Sequence, residues 1–121
     1  MVAARESVMD FIKEHRFPQS EEIDILVALQ EALANAVLHG CQNDGTKTIL
    51  CRVEINLSAL TIVIRDPGPG FDVGAFESAD PSLNTTEHGR GICLMRSLMD
   101  EVTYRRGGSE ILLRKFRHSS S

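Results

Sequence analysis

Between Gly40 and Thr48 the spacing of apolar side chains changes from three-and-four to two, which divides the chain into leading helices and following strands. Residues 2–16 carry Ala4, Val8, Phe11 and Ile12 on one amphipathic face. Phe17-Pro18 ends that segment, because a residue before proline is steered away from helical angles. A second helix is expected from Ser20, a good N-cap followed by Glu21 and Glu22 in the first turn, to about His39. Ile23, Leu26, Val27, Leu33 and Val37 are expected to face the core, and Gly40 to stop the helix. From Thr48 the residues Ile49, Cys51, Val53, Ile55 and Leu57 alternate with polar ones, and Leu60, Ile62 and Ile64 alternate again up to Arg65. A third helix is expected from near Gly91, burying Ile92, Met95 and Leu98 or Met99. Two last strands, roughly 101–106 and 109–117, are joined by Gly107-Gly108, a dipeptide suited to positive backbone angles. This order predicts a two-layer α/β (α+β) sandwich: a mostly antiparallel, mixed sheet with about three helices on one face.

The intervening stretch from Asp66 to about His88 is rich in Pro, Gly, Ser, Asn and Thr. A long irregular segment in a compact domain usually has a function, here expected to be a lid at about 73–88. With 121 residues the chain is long enough for one core, expected over 1–117 with a disordered tail at 118–121. No apolar run approaches the roughly 18 residues of a membrane span, and the N-terminus lacks a signal-peptide layout. Cys41, Cys51 and Cys93 are odd in number and widely spaced, which fits a cytoplasmic protein with neither disulfide framework nor zinc site. A net charge of −4 argues against direct binding of nucleic acid.

Three clusters carry chemistry. Glu31 and Asn35 are four residues apart, hence on one face of a helix otherwise built from Ala, Leu and Val. The Asn35 amide oxygen is the hard ligand that Mg²⁺ prefers, while Glu31 suits either a metal-bound water or the proton of an attacking hydroxyl. Asp66 closes a strand and opens a turn with Gly68 and Gly70. A carboxylate only accepts hydrogen bonds and so suits the exocyclic amine of adenine, and glycines let backbone approach a flat ring or a phosphate. Gly89-Arg90-Gly91 then leads into a helix, whose first N–H groups form an anion site.

In that order the motifs resemble the GHKL superfamily of ATPases and kinases (the Bergerat fold), which includes gyrase, a heat-shock chaperone and histidine-kinase catalytic domains. The asparagine box Glu31-Ala-Leu-Ala-Asn35-Ala-Val-Leu-His39-Gly40, the box Asp66-Pro-Gly68-Pro-Gly70-Phe71-Asp72 and the run from Gly89 to Val102 are most similar to bacterial anti-sigma-factor serine/threonine kinases. The resemblance implies Asn35 as Mg²⁺ ligand, Glu31 as general base, Asp66 on the adenine amine, and Gly68 and Gly70 on the adenine side. It also implies Gly89, Arg90, Gly91 and Ile92 around the phosphates, Ser109 near the adenine, and His39 in reach of a phosphate. Function follows as an expectation: ATP- and Mg²⁺-dependent phosphorylation of an anti-anti-sigma (STAS-domain) protein and binding of a sigma factor, by a homodimer. The alternatives are an ATP-holding switch module without efficient transfer, or a histidine-kinase-type catalytic domain. Two departures stand out. Family members usually begin with a strand before the first helix, and this chain is expected to start inside that helix, with an edge strand cut away, the domain excised from something longer, or another segment in its place. Thr86, Glu87 and His88 stand where some members have an arginine for the terminal phosphate, leaving Arg90 or His88 to take it. Arg96, further along, is expected to be a surface charge.

Overall fold

The computed structural model describes residues 2–14, 19–37, 41, 46–70 and 87–117. Helices α1 (Val2–Glu14) and α2 (Gln19–Asn35) come first, then strands β1 (Leu50–Ile55) and β2 (Ala59–Arg65). Helix α3 (Glu87–Leu98) follows, and β3 (Glu101–Arg105) and β4 (Glu110–Phe116) close the sheet. The strands lie in the order β1-β2-β4-β3, and every described pairing is antiparallel. The expected sandwich is therefore the observed one.

One face of the sheet makes the core. Cross-strand partners Ile62 and Leu113, and Ile64 and Ile111, point to the helices and pack with Val8 and Ile12 of α1, Ile25 and Leu29 of α2, and Ile92 and Met95 of α3. On the other face Val63 and Leu112 are also buried, flanked in the register by the pairs Arg65–Glu110 and Thr61–Arg114. Arg65 donates twice to Glu110 Oε1 at 3.0 and 2.9 Å, and Arg114 pairs with Glu101 at 2.9 Å while donating to Thr61 Oγ1 at 3.2 Å.

Helix α2 differs from its expected orientation. Ile23 is 59% exposed and Leu26, Val27 and Val37 are half-buried, while the buried stripe runs Ile25, Ala28, Leu29, Ala32, Leu33, Ala36. The reason is its position: α2 touches α1, α3 and β4, and a stripe rich in alanine lets neighbouring backbones come close where bulky residues would hold them apart. Leu57 is 93% exposed in the β1–β2 turn, where Asn56 Oδ1 accepts from the N–H groups of Ser58 and Ala59 and ends the strand period. The α-helical parts described are Val2–Glu14 of α1 and Gln19–Asn35 of α2, and the expected ends at residue 16 and at His39 lie outside the described residues. Helix α3 starts at Glu87, four residues ahead of Gly91.

Two turns are locked together. The expected positive angles occur between β3 and β4, at Arg106 (φ 54°), Gly107 (φ 68°) and Gly108 (φ 102°). Gly70 (φ 82°) packs so tightly against this turn that a Cβ there would overlap the Gly107 carbonyl oxygen. At the far end, buried Lys115 donates to the Leu98 carbonyl at 2.6 Å, satisfying the C-terminus of α3 with a cation. Gly70→Ala combines strain with overlap and is expected to lower unfolding free energy by about 1–3 kcal/mol in urea melts. Gly107→Ala, whose Cβ would meet open space, is expected to show the backbone strain alone.

Candidate functional site

Asp66 follows the last residue of β2, and β-pairing continues through it: its N–H donates to the Ser109 carbonyl at 2.9 Å. Asp66 Oδ1 accepts from the Gly68 N–H at 2.8 Å, the bond that shapes the turn. Among the described residues nothing donates to its other oxygen. Burial pushes the Asp66 carboxyl above its ordinary value, and the Gly68 bond opposes this. Ser109 is buried beside it, with Oγ donating to the Arg106 carbonyl at 3.0 Å, so its hydroxyl keeps lone pairs for a further donor. With Gly70 against Gly107, this end of the sheet brings together Asp66, Gly68, Gly70 and Ser109: an acceptor carboxylate ringed by backbone.

A second cluster forms where α2 meets α3. Glu31 and Asn35 are both half-buried on α2. Glu31 Oε1 occupies the space that a Cβ on Gly91 of α3 would take. One turn further, Asn35 Nδ2 is buried with no hydrogen-bond partner among the described residues. A buried polar atom left unpaired costs about 1–3 kcal/mol, so it calls for an explanation. A half-turn of the amide exchanges nitrogen for oxygen, which makes this a fitting place for a hard cation. Directly after Asn35 the helix widens at residues 36–37: the Cys41 N–H reaches back five residues to the Ala36 carbonyl at 2.8 Å. Such π-type turns often mark functional sites. Among the described residues no three of His, Cys, Asp or Glu converge on a point. A Mg²⁺ held by one amide together with phosphate oxygens and water needs no such convergence.

Because α3 starts at Glu87, Gly89, Arg90, Gly91 and Ile92 lie within its first turns rather than ahead of it. The N–H groups of the opening turn have no carbonyl four residues back and are available to an anion. Gly91 and Ile92 lie beyond that turn: their N–H groups face the Glu87 and His88 carbonyls within the helix and the Ile92 side chain is fully buried, so of the four expected phosphate residues Gly89 and Arg90 are the ones with a free backbone donor. The side chains of His88 and Arg90, all of His39, and the lid positions 73–86 lie outside the described residues.

Tyr104 sits on the inner face of β3 opposite Ile111, packed against the core. Burial raises its phenol well above the ordinary value, with the Arg96 charge opposing and the Glu31 carboxylate adding to the rise. Arg96, expected as a surface charge, is half-buried. The strand period alone places Tyr104 inward; nothing local marks its nearness to Glu31.

No described helix is long and apolar enough to cross a membrane. The family of histidine kinase-like ATPase domains matches residues 1–115. An anti-sigma F factor of Clostridium acetobutylicum is 34% identical over 121 residues, covering 93% of this chain and 82% of the relative. An anti-sigma F factor of Geobacillus sp. (strain WCH70) is 29% identical over 121 residues, covering 93% and 82%. The serine-protein kinase RsbW of Staphylococcus aureus (strain JH9) is 34% identical over 102 residues, covering 77% of this chain and 64% of that kinase. With the motifs in order and the sheet and helices that carry them in place, this chain belongs to the histidine kinase-like ATPase domain family.

Proposed function

We propose that this chain is an ATP- and Mg²⁺-dependent serine/threonine kinase that acts as an anti-sigma factor, phosphorylating a STAS-domain anti-anti-sigma protein and binding a sigma factor as a cytoplasmic homodimer. The observation that carries this reading is the orphaned Asn35 amide one helical turn from Glu31: a metal ligand beside a carboxylate base. The relatives named as anti-sigma factors and as a serine-protein kinase support it.

Each residue has a role in that reaction. The adenine amine donates to Asp66, with Gly68 and Gly70 keeping the approach free of side chains and Ser109 alongside. Backbone N–H groups of Gly89 and Arg90 in the opening turn of α3 meet the phosphates, the Arg90 guanidinium adds positive charge, and His39 reaches a phosphate. Asn35 would hold the metal, which would supply positive charge against the phosphate oxygens. Glu31 orients the acceptor serine and takes its proton, and the segment at 73–88 excludes water.

Mixing the purified chain with γ-labelled ATP and a panel of STAS-domain proteins tests transfer directly: label on a serine of one of them is expected. Nucleotide binding without label on any of them would favour a switch module, and label on a histidine would favour the histidine-kinase reading. Glu31→Gln is expected to slow transfer about 10²–10⁴-fold with ATP affinity little changed, measured by label transfer and calorimetry.

Asp66 supplies a pH-dependent expectation. Its raised pKa means the fold favours the protonated form, so its contribution to unliganded stability is present below the unfolded pKa and lost as pH rises through the raised folded value. Nucleotide affinity runs the other way, since the carboxylate must be ionised to serve the amine; binding is expected to fall on acidification at a higher pH than an ordinary aspartate would set. Asp66→Asn is expected to keep or raise the melting temperature without nucleotide at pH 7, and to weaken ADP binding about tenfold to a hundredfold.

A further inference from the structure

Gly91 is buried on the flank of α3 that packs against α2, next to fully buried Ile92. A glycine inside a helix is unfavourable relative to alanine, so it needs a reason. Here the reason is visible: the volume of the missing side chain is filled by the Glu31 carboxylate, with Cδ and Cγ of Glu31 also 3.0 and 3.2 Å from where a Cβ would stand. Two helices meet at that carboxylate: α2 supplies Glu31 and α3 supplies the bare α-carbon of Gly91.

We propose that Gly91 is a positioning residue for phosphoryl transfer: its bare α-carbon forms the seat in which the Glu31 carboxylate is held, so that helix α3 sets the place of the base. This rests on reading Glu31 as the base. It differs from a role for Gly91 in admitting phosphate, because the atom that fills the space belongs to the protein. The seat also ties the two ends of the reaction together. The helix whose opening turn faces the phosphates is the one that holds the group receiving the serine proton.

Gly91→Ala tests it. The overlapping atom is the far end of a flexible side chain, so the helix is expected to form and the carboxylate to be displaced. In the full chain with Mg·ADP, the ¹³C carboxyl signal of Glu31 is expected to move in Gly91→Ala. Hydrolysis of γ-labelled ATP is expected to fall about a hundredfold, the scale of a 1 Å misplacement of a reacting group. ADP affinity is expected to stay within about threefold, under the 1.4 kcal/mol that a tenfold change represents. Glu31→Asp combined with Gly91→Ala shortens the crowding side chain and is expected to recover part of the rate. In a Glu31→Ala background, Gly91→Ala is expected to have no further effect on rate. An unmoved Glu31 signal would overturn the seat, as would an equal rate loss in both backgrounds, which would assign Gly91 to the phosphates. Hydrolysis and transfer unchanged by Glu31→Ala would instead overturn the base assignment, a failure the carboxyl signal distinguishes from loss of the seat. If Gly91→Ala does not fold, the Gly91 ¹³Cα signal in the Glu31→Ala variant decides: a shift supports the contact, and no shift overturns it.

Discussion

The pairing of β2 with β4 is the constraint on which the rest depends. Its register, from Ala59 opposite Phe116 to Arg65 opposite Glu110, turns Leu60, Ile62, Ile64, Ile111 and Leu113 toward the helices. It also turns Val63, Leu112 and the Arg65–Glu110 pair to the other face. Slipping by one residue would exchange those faces, exposing the core set and burying the ion pairs. One step beyond the last pair, the same register makes the Asp66 N–H meet the Ser109 carbonyl. Two residues far apart in sequence thus become neighbours through backbone bonds, before any side chain takes part.

Glycines then join what the sheet and helices bring near. Gly70 lies against Gly107 and Gly91 against Glu31, and at both places a methyl group would collide. In each case the contact is internal to the protein. Glycines in such motifs invite the reading that they make room for a ligand; here two of them first make room for another part of the chain. The turn at Asp66 rests on one such contact and the placement of Glu31 on the other.

Much of this was legible in the sequence, for reasons that can be named. The period-two runs and the Gly107-Gly108 turn marked the sheet because strand burial and positive φ leave local traces. The buried residues of α3 were legible because its apolar spacing is unambiguous. The face of α2 was not. Its apolar residues run consecutively from Ile25 to Leu29 and so point in every direction around the axis, and alanines, weak in any hydrophobicity pattern, line the packed side. Leu57 misled for a related reason: it continues an alternation that the Asn56 turn has already ended. The start of α3 lies four residues early because a glycine-rich segment carries little helical signal of its own. The nearness of Glu31 to Gly91 arises only through tertiary packing, which no local pattern contains.

The described site carries costs that the core does not need. Asn35 leaves a buried amide nitrogen unpaired, and Asp66 keeps a carboxylate partly desolvated with one of its oxygens accepting no described hydrogen bond. Arg106 adopts a positive φ where a glycine would be free of strain. Each could be relieved by an ordinary substitution, and each lies at the end of an element that the proposed chemistry uses. Proteins commonly give up stability at the positions where they act. An aliphatic residue at 35 would suit the alanine-lined end of α2 better than asparagine does. A polar amide there makes sense if something outside the chain completes its bonding. Of the groups that the neighbouring Glu31 and the start of α3 would accept, a cation carrying phosphate satisfies all three at once.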